Sequence, residues 1–158
     1  MAHAPDVPDP ARVPAPVRSV ASVVPVPVRC LADRAAVPDC ERLDAYRVAV
    51  EFQILAASIG SGHRLGALRD QLDRASVSVV LNIAEGSGRF APAEKAYFYL
   101  IAHGSAMECL AALSLMSVRS LVSPALYRRS RSLLTRVVAM LTRLAAAMQS
   151  VPRGRARP

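Results

Sequence analysis

An all-α fold, an up-down-up-down antiparallel four-helix bundle, is what this sequence predicts, and three observations predict it. From residue 39 to 149 the apolar residues recur at helical spacing. Glycines and prolines divide that pattern into four segments of roughly 20 to 26 residues, and the short connections between them favour antiparallel neighbours. Strand signals are absent, since the β-branched run Val77 to Val80 is too short to overturn the period.

Asp39 is read as the N-cap of the first helix, over "CERLDAYRVAVEFQILAASIG", with Leu43, Tyr46, Val50, Ile54 and Ala57 as its apolar stripe. Gly60-Ser61-Gly62 ends it. The second, "RLGALRDQLDRASVSVVLNIAEG", sets Leu65, Leu68, Leu72, Ala75, Val79 and Ile83 on one face, and Gly86 is read as the left-handed residue that stops it. Pro92 suits the first turn of the third helix, with Glu94 at the positive end of its dipole, and that helix runs to about Val118. Pro124 opens the fourth, whose stripe is Leu126, Leu133, Val137, Leu141, Leu144 and Met148; Pro152 closes it.

The bundle is assigned to residues 41–150. Residues 1–40 place proline every few positions, which no helix or central strand accommodates, and read as a disordered extension. Residues 151–158 read as a flexible basic tail. No signal-peptide pattern is present and no run approaches the ~20 apolar residues a membrane span needs, so the expected location is the cytoplasm, with no membrane partner. Cys30, Cys40 and Cys109 lack metal-ligand spacing and read as reduced thiols, Cys109 in the core.

The net charge of +8 is unevenly placed. Residues 1–40 hold four Arg and four Asp, and residues 41–108 hold seven basic and eight acidic groups. From residue 109 onward there are nine arginines and no acidic residue. A one-signed arginine face attracts polyanions, nucleic acid before others. Arg129, Arg136 and Arg143, seven residues apart, form a nearly straight stripe beside the apolar face of the fourth helix. Arg128 and Arg131 extend it near the helix start, and Arg153, Arg155 and Arg157 continue it into the tail.

Helix two carries a polar seam, Gln71, Ser78 and Glu85 at seven-residue intervals with Asn82 beside them. Glu85 faces the negative end of the helix dipole and needs a compensating cation, for which Arg89 is one candidate and an arginine of another helix or subunit a second. The glycines after Glu85 follow a helix rather than lead one, and no GK[ST] exists, so a phosphate loop is excluded. Neither Glu85 nor Glu108 has a histidine three residues on, as a di-iron bundle requires, and His103 stands alone. No cofactor and no enzymatic chemistry are expected.

The stretch "QLDRASVSVVLNIAEGSGR", followed by "FYLIAHGSAMECLAAL", resembles the four-helix-bundle family named for the 23S rRNA intervening-sequence protein, which includes the accessory variability determinant of diversity-generating retroelements. The chain matches the family's pattern at Gln71, Leu72, Arg74, Ala75, Ser78, Asn82, Ile83, Ala84, Glu85, Gly86, Gly88 and Arg89, then at Ile101, Ala102, Gly104, Ser105 and Glu108. The resemblance covers about residues 42–149. It departs at His103, where the family often has a basic residue, and in helix one, which lacks the tryptophan common near its start. What it implies is a small basic bundle; the retroelement relatives form a ring-like pentamer, bind nucleic acid and partner a reverse transcriptase.

Two functions follow as expectations. In the first, a homo-oligomer binds the phosphate backbone of structured RNA or DNA with low base specificity through Arg128, Arg129, Arg131, Arg136 and Arg143. In the second, an oligomeric adaptor turns the same arginines toward an acidic protein. The small residues Ala102, Gly104, Ser105 and Ala106 suit close helix approach, between subunits or within one, and Tyr97, Phe98 and Tyr99 cannot all face one core.

Overall fold

The computed structural model describes residues 38–59 and 66–151. The expectations for residues 1–37, for the Gly60-Ser61-Gly62 break, for Leu65 and for Arg153, Arg155 and Arg157 lie outside the described residues. Within them stand four α-helices, α1 (Asp44–Ser58), α2 (Gly66–Gly88), α3 (Pro92–Val118) and α4 (Pro124–Gln149), and no strand. Each helix packs against its neighbours in sequence and α4 returns to α1, with no close backbone approach across either diagonal among the described residues, as in a four-helix bundle of up-down-up-down order.

Asp39 does not cap α1. It begins a single 3-10 turn, Asp39–Arg42, and Leu43 then adopts extended backbone (φ −82°, ψ 123°) before α1 starts. Arg47 holds this entry together, donating from Nε to the Glu41 carbonyl at 2.8 Å and from Nη1 to Asp44 at 3.0 Å. The α1 stripe is also corrected. The core takes Ala45, Val48, Ala49, Phe52, Leu55, Ala56 and Ile59, while Tyr46 and Val50 lie at the rim and Ile54 and Ala57 are exposed. Helical spacing fits both sets; the structure buries the one containing Phe52, whose burial stabilises by roughly 1.5–3 kcal/mol.

Helix α2 buries the expected Leu72, Ala75, Val79 and Ile83, and Gly86 extends the row. Gly86 is not a left-handed stop. The helix continues to Gly88, and no described glycine has positive φ. Its lack of a side chain serves packing instead: a Cβ there would lie 2.7 Å from Tyr99 Cε1 and 3.1 Å from Phe98 Cβ. Lys95, from the first turns of α3, donates to the Ser87 carbonyl at 3.0 Å and supplies the cation that the negative end of α2 favours.

Pro92 and Pro124 open α3 and α4, and the Ser123 hydroxyl accepts from the Leu126 N–H at 3.3 Å. Between these helices Ser120 takes the left-handed conformation (φ 55°), with Leu121 N–H bonded to the Met116 carbonyl and Ser120 N–H to that of Ser117. This pair of bonds is the Schellman closure, here built on serine where glycine is usual.

Among the described helices, α3 alone is long and apolar enough to cross a membrane by length and composition, contrary to the expectation that no run is. One side of it builds the bundle core through Tyr99, Cys109, Leu113 and Met116. The other leaves Tyr97, Leu100, Met107 and Leu115 about half exposed or more, with Leu81 of α2 at 61%.

Candidate nucleic-acid interface

The five arginines of α4 all lie on the exposed side of that helix, while Ser130, Leu133, Leu134, Val137, Leu141 and Ala145 face inward. At 100° per residue, Arg129, Arg136 and Arg143 flank the side toward α1, and Arg128 and Arg131 occupy the middle and the side toward α3. Arg129 is paired: its Nη2 lies 3.5 Å from Glu51 Oε1 of α1. Among the described residues, Arg128, Arg131, Arg136 and Arg143 have no carboxylate partner. Arg128, Arg131 and Arg136 lie with Tyr127, Ser132 and Thr135 about one shallow, open surface groove of ≈ 330 Å³ between side chains of α4 alone. The spacing in sequence locates the arginines but not the hydroxyls between them, although Ser132 and Thr135 fall on the same side at i+4 and i+7 from Arg128.

The residues of the polar seam lie elsewhere, between α2 and α3, and they are turned to one another. Arg74 donates to Gln71 Oε1 at 2.8 Å, and Gln71 Nε2 donates to Glu108 Oε2 at 3.0 Å, so one amide relays a cation to an anion across the helix pair. A second chain runs beside it. Asn82 Nδ2 donates to Ser78 Oγ (3.1 Å) and to the Ser78 carbonyl (2.8 Å), and the Ser78 and Ser105 hydroxyls are 2.9 Å apart. Ser105 Oγ lies 3.2 Å from the Ile101 carbonyl. Each hydroxyl has one proton, so the direction is Asn82 to Ser78 to Ser105 to Ile101, with every donor used.

Glu85 pairs with Arg89 one turn on, and that guanidinium sits 4.9 Å from the centre of the Phe98 ring. The compensating cation for Glu85 is therefore local. Gly88 and Gly104 are exposed with open space around them. Ala102 and Ala106 are fully buried in the bundle's own core, so only Gly104 of the four small residues is exposed, with Ser105 half-buried in the seam.

Cys109 lies in the core, fully buried, and burial, with the Glu108 carboxylate adding to it, pushes its thiol up to about 12. It stays protonated at neutral pH and is a poor nucleophile. His103 is half-buried on α3, and no group of three or more metal-ligating side chains exists among the described residues.

The architecture and its one-sided arginine helix define a small, basic, all-helical bundle. Residues 41–143 match the model of the family described as 23S rRNA-intervening sequence protein, and the chain belongs to that family. The match begins within the 3-10 turn, at Glu41, and takes in α1 to α3 and α4 as far as Arg143, so both the seam and the groove fall inside it. No curated protein matches the chain.

Proposed function

We propose that this protein is a non-enzymatic, cytoplasmic nucleic-acid-binding bundle that grips the phosphate backbone through the outer face of α4 and works as a homo-oligomer. The observation that carries the reading is α4 itself: five exposed arginines, no acidic residue, and four guanidiniums without a carboxylate partner among the described residues. Arginine pairs bidentately with phosphate, and such contacts position a protein without reading sequence. Self-association supports the same function, because copies of a weak site on one particle bind with avidity. The exposed apolar side of α3 supplies a surface for it, with Tyr97, Leu100, Gly104, Met107 and Ala111 spaced three and four residues apart.

The test is fluorescence anisotropy of nuclease-stripped protein with labelled structured RNA and duplex DNA across a salt series, beside the Arg131/Arg136/Arg143→Ala triple variant. The expected result is binding that weakens steeply with salt, with a slope about two to three units shallower in the variant. A folded protein that binds neither at low salt overturns the reading and leaves the arginines to an acidic protein partner.

A further inference from the structure

The groove on α4 holds more than a phosphate needs. Three guanidiniums would suffice for an anion, yet Ser132 and Thr135 place two exposed hydroxyls between them. Thr135 Oγ1 donates to the Arg131 carbonyl at 2.9 Å, and Thr142, seven residues further along, donates likewise to the Val138 carbonyl at 2.9 Å. A threonine whose proton is committed to its own helix offers lone pairs to a partner, so outwardly it is an acceptor. The outer face of α4 therefore alternates strong donors, the guanidiniums, with acceptors.

A deoxyribose–phosphate backbone presents acceptors only and gives those threonines nothing to receive. Ribose supplies the missing donor at its 2′-hydroxyl. The shape of the site agrees. Because α4 is flanked by α1 and α3, it offers a face and not a free rod. The minor groove of an A-form duplex is wide and shallow and displays 2′-hydroxyls beside the phosphates, so a helix face can meet both together.

We infer that the outer face of α4 selects RNA: it takes the ribose–phosphate backbone of an A-form duplex, with Arg128, Arg131 and Arg136 on phosphates and with Thr135 in the groove and Thr142, about two turns beyond it, accepting from 2′-hydroxyls. This rests on the reading of α4 as a phosphate-binding face and narrows its ligand.

Three duplexes of one sequence separate the ideas: RNA, DNA, and RNA carrying 2′-O-methyl groups, which keeps the A-form and removes the donor. Each is titrated by anisotropy at fixed salt against the native protein and the Thr135→Val/Thr142→Val variant, whose side chains keep their shape and lose the oxygen. The native protein is expected to bind RNA about tenfold more tightly than the other two, the equivalent of roughly one net hydrogen bond. The variant is expected to lose that preference while its DNA affinity and salt slope stay unchanged. Equal affinity for all three duplexes overturns the inference and leaves phosphate binding standing. A preference that survives in the variant overturns the assignment to these threonines, and absence of binding to every duplex overturns both readings.

Discussion

The α2–α3 seam and the outer face of α4 are both polar strips on helices of one small bundle, and they use their polarity in opposite ways. In the seam, Arg74 is bonded to Gln71, Gln71 to Glu108, Asn82 to Ser78 and Ser78 to Ser105. On α4, four of the five arginines have no carboxylate partner among the described residues. A polar group bonded inside the fold contributes to stability and has little left for a ligand; an unpaired, solvated one contributes little to stability and is available. Gln71, Ser78, Ser105 and Glu108 of the matched pattern therefore tie α2 to α3, whereas four arginines of α4, outside that pattern, have no carboxylate partner among the described residues.

If that division is real, the largest loss of stability comes from the tightest packing point between the two helices that the seam joins, α2 and α3. Gly86→Val puts side-chain atoms where Tyr99, 3% exposed, and Phe98 already stand. Overpacking of this kind costs about 2 kcal/mol, only slightly offset by the better helix propensity of valine. Denaturant unfolding should show a lower midpoint with an unchanged slope. An unchanged midpoint would mean that α2 and α3 separate easily, and the seam would lose its claim to fix the pair.

A smaller effect sharpens the same contrast. Ser78→Ala removes the middle of the Asn82–Ser78–Ser105 chain, leaving Asn82 its bond to the residue 78 carbonyl. The expected cost is about 1 kcal/mol, that of a partly buried hydrogen bond with one partner removed. Nucleic-acid affinity should not move. A Ser78→Ala protein of native stability but altered binding would reverse the roles assigned to the two strips.

How far these roles could be read from sequence varies helix by helix. In α2 the apolar residues Leu72, Ala75, Val79 and Ile83 recur in one unbroken helical row, and that row is the buried face, while Val77 and Leu81 stand off it and are exposed. In α1 the apolar residues fall on two sides, and spacing alone favoured Tyr46, Val50 and Ile54 over the Val48, Phe52 and Leu55 that are buried. The helix was legible; its orientation depended on neighbours that a local period does not contain. Gly86 shows a related limit. A glycine after Ala-Glu near a helix end suits a left-handed stop, and only the position of Tyr99 across the gap reveals a glycine required for close approach. The arginines were legible because charge sign needs no tertiary context. The hydroxyls beside them were not, since a threonine in a helix has no meaning until its proton is assigned.

Arg129 is where the comparison is most exposed to failure, because it is the α4 arginine that does have a partner. The pair with Glu51 links α4 to α1 at 3.5 Å, with side-chain exposures of 65% and 48%. At that length and exposure the Coulomb gain is screened and is opposed by the entropy of holding two long side chains. Arg129→Ala should therefore cost no more than about 0.5 kcal/mol. Arg136→Ala, which breaks no pair, should cost still less, so the two variants should unfold within error of one another. In binding the order reverses: Arg136 lines the groove and Arg129 does not, so Arg136→Ala should weaken affinity more. If Arg129→Ala instead destabilised the protein by as much as Ser78→Ala, α4 would be a structural strip like the seam, and its arginines could no longer be assigned to a ligand on the ground that the fold does not use them.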